Sequence, residues 1–225
     1  MIVKKKCAIC GYEYQYDNTF KVNFFLEPRG EGAKYYFDLW HFNIEHCPNC
    51  GYASREVEYC QNADIVTDDK YKGIKDLDVI VDLSSARPNR ISTYLKAGMY
   101  YASIGDTLNA VKCKLQAGDL VYSEMMYWSE YILDSTTSYG AVQARSQMNA
   151  FKKFADSLIS SATISLEDLC RDKLDIDNRI LLAGVYSDGD KIQKIKCNKI
   201  LNELKGESLT VPQRKAIEYL LGDLN

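Results

Sequence analysis

The chain has 225 residues, with 28 basic and 31 acidic side chains and a formal net charge of −3. A hydrophobic content of 46% is enough to build a core in one large or two modest domains. The slight acidity supplies no global field for a polyanion, and no apolar run approaches the roughly 18 residues of a membrane span. The opening Met1-Ile2-Val3-Lys4-Lys5-Lys6 lacks the apolar core of an export signal. The expectation is a cytoplasmic protein with reduced cysteines and no membrane partner.

The first element is the knuckle Cys7-Ala8-Ile9-Cys10-Gly11-Tyr12, and Cys47-Pro48-Asn49-Cys50-Gly51-Tyr52 repeats it. A two-residue spacer lets both sulfurs of a tight turn face one ion. Glycine after the second cysteine permits positive φ, so backbone N–H groups can approach the thiolates. Two such turns supply four thiolates, a closed tetrahedral set. Cys7, Cys10, Cys47 and Cys50 are therefore expected to hold one structural zinc ion. A redox dithiol uses one C-x-x-C beside a βαβ unit, and here there are two with no such unit nearby. A disulfide framework and iron on the same four sulfurs are the other chemistries this spacing allows.

Between the knuckles, Phe20, Val22, Phe24 and Leu26 alternate, and Phe37, Leu39 and His41 do so again. Glu27-Pro28-Arg29-Gly30-Glu31-Gly32 separates the two runs. This pattern predicts a β-hairpin, giving a three-stranded antiparallel ribbon that the metal stabilises. Gly30, Gly32 and Lys34 fall short of a phosphate loop, so a hairpin turn is the reading there. His41 and His46 are the only histidines. His46 adjoins Cys47 and is the alternative ligand, but four cysteines already complete the set. Residues 1–60 are thus read as a zinc-ribbon-like domain and 61–89 as a linker. The acidic run from Asp64 to Asp82 lacks calcium-loop spacing. Cys60 pairs with nothing by spacing.

From Arg90 the apolar period turns helical, and 90–225 is read as an all-α domain. Leu95, Met99 and Ala102 mark a first helix that stops at Gly105, with Asp106 as the next N-cap. A long helix is predicted over Thr107–Asp134, with Gly118 at a close helix approach. Another spans Ala141–Ser161 on the stripe Ala144, Met148, Phe151, Ala155, Leu158 and Ala162. Ser165-Leu166-Glu167-Asp168 has the form of a capping box and predicts a new helix start. Gly189-Asp190 repeats the stop and start, and Pro212 reads as the first residue of a last helix. Cys113, Cys170 and Cys197 lie on these helices as small buried hydrophobes.

Ala97-Gly98, Tyr101, Gly105-Asp106, Ala110 and Ala117 keep the intervals of the tetratricopeptide signature, although Lys114 stands where that pattern has an aromatic. With Cys7-x-x-Cys10-Gly11 and Cys47-Pro48-x-Cys50-Gly51-Tyr52-Ala53, the chain resembles a bacterial family, domain of unknown function 2225. The resemblance implies a zinc-ribbon-like head followed by TPR-like helices, and it implies no reaction. The fold class is accordingly α+β: a small antiparallel zinc-ribbon-like β domain, then an all-α TPR-like array.

The leading functional reading is a zinc-containing interaction scaffold for a protein or peptide partner, not an enzyme. A nucleic-acid-binding ribbon is the alternative. It would use Lys4, Lys5, Lys6, Lys21, Arg29 and Lys34, with Phe24, Tyr35 and Tyr36 for stacking. Residues 1–60, however, carry more acidic than basic side chains. A thiol redox enzyme on either cysteine pair is the third reading. Cys47→Ser is expected to unfold the first 60 or so residues while leaving the helices largely intact.

Overall fold

The computed structural model describes residues 2–7, 10–17, 30–40, 42, 44–47, 49–55, 89–134 and 138–223. Among them the fold is α+β, with two small two-stranded sheets and seven helices. The chain separates into two compact units: 3–16 with 43–162, and 1–2 with 17–42 and 163–225.

The first unit holds both knuckles. Strands β1 (Ile2–Lys6) and β2 (Glu13–Asp17) pair around the first. Strands β3 (Ile44–His46) and β4 (Ala53–Arg55) flank the second as an antiparallel pair, with His46 opposite Ala53 and Ile44 opposite Arg55. Helix α2 (Asn89–Ser103) packs on β3 and β4 and lies against α3 (Thr107–Asp134). Gly105 has φ +82 and Asp106 Oδ1 accepts the Asn109 N–H at 3.1 Å, so the predicted stop and cap are both present. The buried face of α2 is Ile91, Tyr94, Ala97, Tyr100 and Tyr101, one position away from the expected Leu95, Met99 and Ala102. Tyrosine suits such a face where its ring is buried and its hydroxyl reaches a backbone group. Tyr101, for instance, accepts the Arg55 N–H at 2.8 Å.

Helix α4 (Ser138–Leu169) is longer than predicted. A Cβ on Gly118 of α3 would stand 2.8 Å from Ile159 Cγ1, which is the close approach the glycine announced. The capping box expected at Ser165 does not form, because that stretch is helix interior. Ala155, Ala162 and Leu166 are fully buried and continue one apolar stripe through it. Continuous burial outweighs a four-residue capping pattern worth about 1 kcal/mol.

The second unit contains α1 (Glu31–Trp40), α5 (Ile176–Ser187), α6 (Lys191–Leu204) and α7 (Val211–Asp223). Helix α1 corrects the predicted hairpin strand. The same aromatic run also reads at helical spacing, with Ala33 buried and the Phe37 and Trp40 rings edge to face at 5.9 Å. Packing on α7 and α5 decides between the two periods. A Cβ on Gly32 would fall 2.1 Å from the Lys215 carbonyl oxygen, so only glycine admits this contact. Tyr35 donates to Asp177 at 2.7 Å and Gln213 Nε2 to the same oxygen at 2.8 Å. Asp190 caps α6 in a full capping box with Gln193, and Thr210 with Gln213 does the same for α7. Helix α7 starts at Val211, so Pro212 is its second residue. Phe20–Leu26, His41, Cys60 and 61–88 lie outside the described residues.

Candidate metal centre

The two knuckles fold alike because their local rules are alike. Cys7 N–H donates to the Tyr12 carbonyl at 2.9 Å, and Cys47 N–H to that of Tyr52 at 2.8 Å. Gly11 N–H closes onto the Cys7 carbonyl and Gly51 N–H onto that of Cys47, both at 3.0 Å. Gly11 and Gly51 stand at φ +68 and +74, where a side chain would be strained. That turn aims the N–H of Tyr12 at the Cys10 sulfur and the N–H of Tyr52 at the Cys50 sulfur.

The four predicted residues come together. The Sγ atoms of Cys7, Cys10, Cys47 and Cys50 all lie within 4.8 Å of one another. Cys7 to Cys50 and Cys10 to Cys47 each span 3.7 Å. A metal–sulfur bond of about 2.3 Å sets the edge of a regular tetrahedron of sulfurs at about 3.8 Å. The donor set and its spacing therefore fit a tetrahedral ion such as zinc, with no position left over for a substrate. No histidine belongs to the group among the described residues. His46 is half-buried on β3, where burial, with Lys96 adding to it, pushes its imidazole below its ordinary value.

Four sulfurs this close cannot all ionise without a cation. Burial pushes the Cys47 thiol up against the N–H groups of Cys50 and Asn49. Burial also pushes Cys50 up against the pull of the Tyr52 N–H, and the Cys10 and Cys47 sulfurs add to the rise. Burial acts on Cys10 in the same sense, but there the Asn49 amide, the Tyr12 N–H and the other sulfurs prevail and bring it down to about 6. One thiolate is favoured and two are resisted, a balance that a divalent cation would shift toward four thiolates.

Sequence reading did not identify two supports of this centre. Asn49 Nδ2 reaches across from the second knuckle to Cys10 Sγ at 3.5 Å. Lys5 Nζ pairs at 2.5 Å with Glu45 Oε1, a carboxylate only 3% exposed, and so fastens β1 to β3. An Asn in a tight turn and a Lys in a basic run give no sign of such partners. The second knuckle is also anchored from behind. Tyr52 is fully buried, with its ring edge-on to Tyr100 at 5.4 Å, and Tyr100 leans on Tyr101 at 5.3 Å.

The described residues named for a nucleic-acid surface are divided between the two units. Lys34, Tyr35 and Tyr36 are on α1, in the unit that lacks the knuckles, while Lys21, Phe24 and Arg29 lie outside the described residues. On β1, Lys5 is spent on Glu45 and only Lys4 and Lys6 are exposed. Cys113 and Cys197 are fully buried and Cys170 half-buried; burial, then the Asp175 carboxylate, pushes the Cys170 thiol up to about 11. No helix among the described residues is long and apolar enough to cross a membrane. A scan against protein-family models matches none, and searches of curated proteins and of solved structures find no similar protein.

Proposed function

We propose that Cys7, Cys10, Cys47 and Cys50 hold one structural zinc ion, and that the chain is an interaction scaffold for a protein or peptide partner with no reaction of its own. The observation that carries the metal reading is the 3.7 Å sulfur spacing in a closed four-thiol set. A closed set stabilises a fold and leaves no site for chemistry. Assignment to the bacterial family of unknown function 2225, on the knuckle residues, belongs to the same proposal.

The scaffold reading draws on α6. Ile192 and Ile195 are 67% and 62% exposed, three residues apart and so on one helix face, with Lys191 and Lys199 beside them. An apolar pair flanked by two lysines suits a segment with apolar anchors and an acidic neighbour.

Metal analysis of the purified chain should find about one zinc per chain, colourless, with knuckle thiols that react far faster after chelation. Reactive thiols and no metal would support the redox reading instead, and a coloured iron centre would replace zinc. For the scaffold, a partner captured by the native chain should be lost on Ile192→Asp with Ile195→Asp, while metal content holds. Failure to retain any protein or peptide under all conditions would count against it.

A further inference from the structure

The four sulfurs are not equally protected. Cys7, Cys47 and Cys50 are 1%, 0% and 5% exposed, whereas Cys10 is exposed. The cause lies in what backs each knuckle. Tyr52, behind Cys50, is fully buried against Tyr100, while Tyr12, at the matching place behind Cys10, is 46% exposed. The Cys10 sulfur lies 3.7 Å from that of Cys47, on the other knuckle.

We propose that Cys10 is an oxidation site, at which hydrogen peroxide opens the metal centre. This rests on the metal reading above. In the first step the Cys10 thiolate attacks one peroxide oxygen, the O–O bond breaks, and Cys10 becomes a sulfenic acid as hydroxide leaves. In the second, the Cys47 thiolate attacks the Cys10 sulfur, the S–O bond breaks, and a Cys10–Cys47 disulfide forms with a second hydroxide. Two thiolates are oxidised by two electrons in total, and the peroxide is reduced to two hydroxides, which solvent protonates. The disulfide needs the sulfurs to close from 3.7 Å to about 2.05 Å. That movement takes two of four ligands away from the ion. Cys7 and Cys50 remain, one on each knuckle, and two thiolates do not make a closed zinc site.

Access selects the point of attack, because oxidation follows thiolate character and exposure. In a closed centre every sulfur is a thiolate, so thiolate character is shared and exposure decides. The outcome differs from a catalytic dithiol. No substrate is turned over, and the product is a chain whose two knuckles have exchanged a metal cross-link for a covalent one.

The test uses the full chain as purified, with its metal counted first. A chain without metal sinks the metal reading of the preceding subsection; a loaded chain that fails below sinks this inference alone. Sub-stoichiometric hydrogen peroxide is added with a chromogenic zinc chelator and a sulfenic-acid trap, and the products are read by fragment-ion mass spectrometry. The trapped adduct should fall on Cys10 about tenfold more often than on the other three sulfurs, in line with their exposure. Zinc release should track the Cys10–Cys47 disulfide one for one. Cys10→His restores a four-ligand set of the Cys₃His kind, and it should retain zinc at a peroxide dose that empties the native chain. First products that lack Cys10, or an emptying rate unchanged in Cys10→His, overturn the proposal. A first disulfide joining Cys10 to Cys7 or Cys50 overturns the assignment of Cys47.

Discussion

The two knuckles have the same six-residue pattern and the same two turn hydrogen bonds, yet they end in different surroundings. The second is buried against α2 through Tyr52, Tyr100 and Tyr101, and β4 gives its Arg55 N–H to the Tyr101 hydroxyl. Among the described residues, Tyr12 of the first stacks on Tyr14 at 6.4 Å and stays 46% exposed, and its Cys10 meets solvent. Local sequence sets the turn, and tertiary packing decides whether that turn is an anchor or a rim. Equal motifs therefore need not contribute equally to stability or reactivity.

The largest expected contrast is between Cys47→Ser and Cys10→Ser. A structural zinc contributes on the order of 10 kcal/mol of apparent folding free energy, comparable to the whole stability of a domain. Losing the fully buried Cys47 should abolish metal binding and fixed tyrosine packing together. The expectation that the helices would be spared then gives way: α2 should lose helical signal with the ribbon, since Tyr52, Arg55 and Glu45 join knuckle, strands and helix in one unit. Circular dichroism in the near and far ultraviolet, followed with metal titration, should give a single transition for Cys47→Ser and a milder, metal-rescuable loss for Cys10→Ser. Two separate transitions would break the comparison.

A second contrast isolates packing from metal. Tyr52→Ala removes a buried ring and should cost about 3–5 kcal/mol in a urea titration. Tyr12→Ala, at the same place in the other knuckle, should stay within about 0.5 kcal/mol, as surface changes do. Gly11→Ala and Gly51→Ala should instead match each other at roughly 1–2 kcal/mol each, because positive φ is strained for a side chain in either setting. Unequal glycine costs with equal tyrosine costs would invert the lesson. The smallest effect belongs to Asn49→Ala. Removing its amide from the Cys10 sulfur should weaken zinc about tenfold in a competition titration, the low end for a group acting through a ligand.

What could be read in advance follows the same division. The knuckles, the Gly105-Asp106 turn and the span of α3 each depend on residues within a turn or two of chain, and they stand as expected. The predicted strand fails over Phe37–Trp40 because its aromatic run satisfies two periods, and α7 and α5 choose the helical one. The capping box at Ser165 fails because the burial of Ala162 and Leu166 extends α4 through it. Asn49 on Cys10 and Glu45 under Lys5 were invisible for a related reason: each acts on a residue some 40 positions away, and no spacing rule covers that distance.

The close seating of Gly32 against Lys215 also sets a clock. The ion pair beside it joins Glu31 to Lys215, 184 residues later in the chain. At about 5–20 residues per second of synthesis, α1 would wait roughly 10–40 s for the helix that covers it. The cysteines on either side of α1 emerge well before that. A nascent chain can thus load metal and close its knuckles while the aromatic insert between them is still uncovered.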